Sequence, residues 1–105
     1  MYAYDVIRQA IEFKQQIVAT YNGHRRVLCP YALGYGKDGL ERALVYQVGG
    51  GSSKGLPAGG EWRCLVLNEL TNVSAQPGSW PNVTNWNDRS QTCLDRVTAE
   101  VSGAW

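Results

Sequence analysis

Between Ile17 and Leu70 the chain reads as four short β-strands joined by glycine-rich turns. The segments are IVATYN, RRVLCPYALGY, ERALVYQVG and EWRCLVLNEL. Val, Ile, Thr and aromatic residues favour a pleated, half-buried surface, and glycine supplies the backbone angles a tight reversal needs. Strands in such close succession leave no room for crossover helices, so they must pair antiparallel. Asn22-Gly23 is the clearest turn, because both residue types accept positive φ in a two-residue hairpin. Pro30 cannot donate to a ladder, so it marks an edge position or a bulge. A second turn falls at Gly36-Lys37-Asp38-Gly39, and the third strand runs from Glu41 to Val48. Gly49 to Gly60 is a flexible loop, and a fourth strand covers Glu61 to Leu67. Asn68-Glu69-Leu70 suggests a turn of helix before a fifth strand at Asn72–Ala75.

Ahead of the strands, residues 3–15 carry apolar side chains at helical spacing: Ala3, Ile7, Ala10 and Ile11, widened by Val6 and Phe13. Asp5 in the first turn and Lys14 in the last suit the helix dipole. A helix this short is marginal alone, so it should dock on the sheet, at an open end of a barrel. After Gln76, Pro77, Gly78 and Pro81 interrupt regular structure. Trp80 and Trp86 must either pack on the body or form a surface patch. Residues 93–101 fit either helical or alternating spacing; the expectation is an extended segment wrapping the body. The fold expected is therefore mainly β (α+β) in a single domain of residues 1–105. It has a helix over 3–15, a small SH3/Sm-like antiparallel barrel of about five strands over 16–76, and an irregular extension over 77–105.

At 105 residues one modest core is affordable, and no apolar run approaches the length that spans a bilayer. The first residues lack the pattern of a secretion signal, so the sequons at Asn72 and Asn82 are expected to be incidental. Cys29, Cys64 and Cys93 are odd in number and widely spaced, without a zinc-ligand pattern. They read as buried structural thiols, and free thiols fit a reducing cytoplasm.

Chemistry is sparse. His24 is the sole histidine and sits in a hairpin tip beside Arg25, without a carboxylate nearby in sequence. No nucleophile and base are paired, and no two carboxylates are spaced for acid/base work, so no enzyme and no cofactor are expected. The stretch GGGSSKG, Gly49–Gly55, lacks the ending of a phosphate-binding P-loop, although Ser52, Ser53 and Lys54 could meet a phosphate. Charge is uneven. Residues 14–63 hold seven basic residues against three acidic, a net of +4, whereas residues 64–105 net to −2. A basic body can focus an anionic ligand, although a solvated mixed surface is the plainer alternative. Alternation puts Arg42 and Tyr46 on one face, with Arg63 beside Trp62 on the next strand. Guanidinium forks grip phosphates and aromatic rings stack on bases, although Tyr46 and Trp62 could equally be half-buried core aromatics.

These residues resemble the WYL domain family, bacterial ligand-sensing modules with an Sm/SH3-like barrel. The resemblance covers about Ile11 to Val73. It rests on YNGHRR (Tyr21–Arg26), PYALGY (Pro30–Tyr35), LVYQ (Leu44–Gln47), the glycine-rich loop and EWRCLVLNEL (Glu61–Leu70). The motif that names the family falls at Arg42-Ala43-Leu44, where only Leu44 agrees. Residues 1–15 leave room for one helix, not for a helix-turn-helix, so the likeness is to small stand-alone sensing domains. The resemblance implies a regulatory module for a nucleotide or short single-stranded nucleic acid. Arg26, Arg42, Tyr46, Gln47, Ser52, Lys54 and Arg63 are the expected ligand-binding residues. The alternative is a protein-interaction or self-associating subunit that docks through a sheet edge or the Trp80/Trp86 patch.

Overall fold

The computed structural model describes residues 2–52, 55–57, 59–81 and 93–101. Helix α1 (Ala3–Phe13) precedes strands β1 (Gln16–Tyr21), β2 (His24–Tyr35), β3 (Glu41–Gly50) and β4 (Glu61–Val66). A 3-10 turn (Leu67–Glu69), β5 (Thr71–Gln76) and β6 (Arg96–Glu100) follow. The described strands form one antiparallel sheet in the order β4-β3-β2-β1-β5, with β6 added alongside β2. β4 and β5 end this sheet without pairing with each other, so the expected barrel is an open sheet among the described residues. Lys54, the second sequon and Trp86 lie outside the described residues.

Asn22 (φ 52°) and Gly23 (φ 77°) both adopt the positive φ of a two-residue hairpin turn, and Tyr21 pairs with His24 across it. β2 then continues through Pro30 although it is a central strand. Its register against β3 slips between Pro30, opposite Val45, and Ala32, opposite Leu44. The proline's missing donor is thus accommodated at a bulge, one of the two placements its chemistry allows. A second slip, between Val27 and Leu28, leaves Val48 as the extra residue and so places a bulge in β3.

α1 buries Val6, Ile7, Ala10 and Ile11 and packs against β2, β5 and β6. It is shorter than the periodicity suggests. Lys14 adopts the left-handed conformation at the C-cap, and its N–H and that of Gln15 close on Ile11 O and Ala10 O. Lys14 therefore lies beyond the last turn, and Phe13 faces outward, 62% exposed. The core beneath is built from Ile17, Leu28, Leu33, Val45 and Leu65, joined by Leu94 and Val101 of the C-terminal segment. Trp80 packs a tilted ring 4.8 Å from that of Tyr31, so this half of the expected tryptophan patch belongs to the body.

The cysteine reading is corrected. Cys29 is a buried free thiol, but Cys64 and Cys93 form a disulfide, with Cα atoms 5.6 Å apart across 29 positions of sequence. The pairing could not be read from spacing, because it depends on β6 folding back along the end of β2 and bringing Cys93 to β4. With two of three thiols oxidised, the argument from free thiols to a reducing compartment loses its basis. β6 itself bears out the extended reading of this segment. It pairs Ala32–Tyr35, and Gly34 is the residue that admits it: a Cβ there would collide with the Arg96 carbonyl. Among the described residues no helix is long and apolar enough to cross a membrane.

Closing a loop of this length should stabilise the fold by about 3–4 kcal/mol through the unfolded chain's lost entropy. Cys64→Ser or Cys93→Ser should therefore lower the denaturant midpoint strongly, and reduction should do the same to the wild type; an unchanged midpoint would refute the cross-link. Burial pushes the Cys29 thiol and the Tyr31 phenol up, each to about 12. Their folded values exceed the unfolded ones of about 8.5 and 10. The stability they contribute is complete below the unfolded values and is lost as pH rises toward 12. Unfolding monitored from pH 8 to 12 should show that decline, and Cys29→Ala should reduce it.

Candidate anion-binding site

The side chain that organises this site is Gln47, which is fully buried. It belongs to β3, opposite Leu28 on one side and Glu61 on the other. Its amide nitrogen donates to Gly49 O at 2.9 Å and Gly51 O at 3.0 Å, tying down the start of the glycine loop. Those acceptors leave the amide one orientation, with Oε1 turned away from the loop. Two guanidinium groups converge on that oxygen. Arg26 Nη1 donates to it at 3.3 Å and Arg63 Nε at 3.3 Å.

Arg26 is only 4% exposed. Its remaining donors, Nε and Nη2, reach Tyr21 O at 3.3 and 3.2 Å, and its Cζ stands 5.2 Å from the centre of the Tyr21 ring. Both contacts follow from the Asn22-Gly23 register. Ala19 faces Arg26, which leaves Tyr21 as the diagonal neighbour on the same face. Arg63 is closer to solvent. Its Nη2 donates to Ser52 Oγ at 3.3 Å and forms an ion pair with Glu61 Oε2 at 2.9 Å. Ser52 gives its own proton to Gly55 O, 2.7 Å away, so its lone pairs face Arg63.

Four of the expected ligand residues, Arg26, Gln47, Ser52 and Arg63, thus meet in one cluster. The cluster holds two guanidinium groups and, among the described residues, one carboxylate, which touches only the outer arginine. Burial, and then the charge of Arg63, lowers the proton affinity of Arg26, although an arginine remains charged. Two like charges held against one oxygen repel by on the order of 2 kcal/mol at an effective dielectric near 20. Hydrogen bonds to the shared amide, at about 1.5–3 kcal/mol for a charged donor, can match that repulsion in energy but leave both charges un-neutralised. An anion placed between them would supply the missing charge.

Arg42 and Tyr46 are elsewhere. β3 alternates, so Tyr46, opposite Trp62, projects from the other face of the strand from Gln47. Tyr46 stacks edge-on to Trp62 at 5.1 Å, Trp62 meets Tyr31 at 4.9 Å, and the Tyr46 hydroxyl donates to Gly59 O at 3.0 Å. These rings are the partly buried margin of the core. Arg42 pairs with Asp38 at 2.6 Å within the Gly36–Gly39 turn. The Leu40 amide, followed by Arg42, holds the Asp38 carboxyl below the usual range. Arg42 lines a separate cavity of about 410 Å³ together with Lys37, Asp38, Asp95 and the Cys64–Cys93 disulfide. Its two cations are matched there by two carboxylates.

Two members of the cluster were not expected from sequence, Tyr21 and Glu61. Tyr21 was within reach, since the hairpin register puts it diagonal to Arg26. Glu61 carried no signal beyond its i, i+2 spacing to Arg63. Comparison with protein-family models, curated proteins and solved structures gives no match to this chain.

Gln47→Leu should cost about 3 kcal/mol of stability, because it strips a buried partner from two guanidinium groups and two carbonyls. Arg63→Ala should change stability by less than about 1 kcal/mol, since it removes repulsion along with contacts. Chemical denaturation of the two variants checks the contrast; equal losses would overturn this account of the cluster.

Proposed function

We propose that this chain is a non-enzymatic, WYL-like sensing module that binds a nucleotide or a short single-stranded nucleic acid as a regulatory accessory protein. The observation that carries the reading is the convergence of Arg26 and Arg63 on one neutral oxygen, with no carboxylate on the inner arginine among the described residues. A phosphate oxygen has the charge that this arrangement lacks, and guanidinium forks suit its geometry. The hydroxyl of Ser52 stands beside Arg63 at its rim. The order of the hairpins, with β5 returning to pair with β1, supports the barrel-like architecture that the family resemblance implies.

In this reading Arg63 is the outer contact and Arg26 the inner one. Arg42, engaged by Asp38 on another part of the sheet, contributes only to the general field. The aromatic rings of Tyr46 and Trp62 lie on the opposite face of the strands from the guanidinium pair, so they are not placed to stack on a base whose phosphate lies between the arginines. Self-association is the second reading. It is supported by the outer edges of β4 and β5, which end the sheet unpaired among the described residues.

Titration of labelled single-stranded oligonucleotides, cyclic dinucleotides and a 5′-mononucleotide at low and moderate salt tests the proposal. Affinity should fall steeply with salt. Arg63→Ala should weaken binding at least about tenfold, and Arg42→Ala by less than about twofold. An absence of binding at tens of micromolar in low salt would overturn it, and a stable dimer in sedimentation would then favour self-association.

A further inference from the structure

Glu61 occupies a position that the anion-binding reading makes conspicuous. It opens β4 directly across from Gln47, and its carboxylate lies 2.9 Å from Arg63 Nη2. The same nitrogen serves Ser52 Oγ. Arg26 lies deeper, and among the described residues its hydrogen bonds go to the neutral oxygens of Tyr21 and Gln47. The Glu61 side chain is 45% exposed and that of Arg63 is 21% exposed. An ion pair at such exposure is weak and easily exchanged. The cluster thus combines a fixed inner charge with an outer charge covered by a displaceable carboxylate.

We propose that Glu61 sits in the ligand's seat on Arg63 as an internal competitor, and that the site consequently takes a phosphomonoester in preference to a phosphodiester. This deepens the anion-binding reading above and rests on it. With Glu61 in place, Arg26, Arg63 and Glu61 sum to one positive charge; with Glu61 swung out they present two. A phosphomonoester carries close to two negative charges at neutral pH and three terminal oxygens. It matches the open state and can accept from both guanidinium groups together. A phosphodiester carries one charge and two free oxygens. It gains little by expelling a carboxylate of equal charge. Burial points the same way. With Arg26 only 4% exposed and Gln47 fully buried, a compact terminal phosphate displaces less of the cover than a diester that continues on both sides.

The test pairs 5′-AMP with 3′,5′-cyclic AMP, which share base and sugar and differ in the phosphate. Each is titrated into the full chain at matched ionic strength, following the side-chain Nε–H signals of Arg26 and Arg63 by NMR. Wild type should bind 5′-AMP at least about tenfold more tightly than the cyclic diester. Glu61→Gln, at an exposed position, should fold normally. It should tighten cyclic AMP by about fivefold and narrow the ratio between the two ligands. Equal affinities in wild type, or a Glu61→Gln protein that matches wild type for both ligands, would overturn this proposal. The anion site would still stand if Arg63→Ala abolished both affinities. If neither nucleotide moves the arginine signals in wild type or in Glu61→Gln, the anion site falls, and this proposal with it.

Discussion

The pairing of β2 with three other strands is the constraint on which the rest of the molecule depends. Over twelve residues it holds β3 along most of its length, β1 through its first half and β6 through its last four residues. A straight strand has two edges and could not serve three partners over a short span. β2 manages it because β1 stops opposite Leu28 and β6 begins opposite Ala32, so they share one edge end to end. The bulge at Pro30–Ala32 falls at the changeover, where a residue without an N–H costs the ladder least. Leu28, Cys29, Tyr31, Ala32 and Leu33, all buried, make this strand the centre of the core as well as of the sheet.

The same strand delivers Arg26 to the polar end of that core. A buried arginine is tolerable when its nitrogens are hydrogen-bonded, and here Tyr21 O and Gln47 Oε1 engage all three. Hydrogen bonding satisfies geometry but does not neutralise charge. Because Arg63 meets the same oxygen, the cluster has an electrostatic deficit that its hydrogen bonds leave open. Glu61 covers that deficit only at the outer arginine, and at an exposure where such cover is weak. This hydrogen-bonded yet under-neutralised cluster is the feature on which the proposed anion site rests, and an apolar replacement would serve stability as well.

Much of the fold was legible from local chemistry. The Asn22-Gly23 turn, the bulge at Pro30, the helix face of Val6, Ile7, Ala10 and Ile11, and the strands through Gln76 all follow from short-range preferences. The set of ligand candidates that held Arg26, Gln47, Ser52 and Arg63 came instead with the family resemblance, beside the general chemistry of guanidinium and hydroxyl groups. Arg42 and Tyr46 were grouped with them because strand alternation assigns residues to faces of one strand. It does not tell which face of one strand shares space with which face of the next. The register of β3 against β4, with Gln47 opposite Glu61 and Tyr46 opposite Trp62, is what separates the aromatic rings from the guanidinium pair.

By itself the sequence determined the order of elements, the hairpin at Asn22-Gly23 and the basic character of the β1–β4 region, because each depends on neighbours within a few residues. Tertiary structure alone decided three matters. It paired Cys64 with Cys93, since a cross-link over 29 positions depends on where β6 docks. It left the sheet open between β4 and β5, since closure depends on accumulated twist and bending and not on any one turn. It brought two arginines from non-adjacent strands onto a single amide oxygen, since the position between them, Gln47, is fixed by its bonds to the glycine loop. Local preference sets what a residue can do, whereas long-range register sets what it meets.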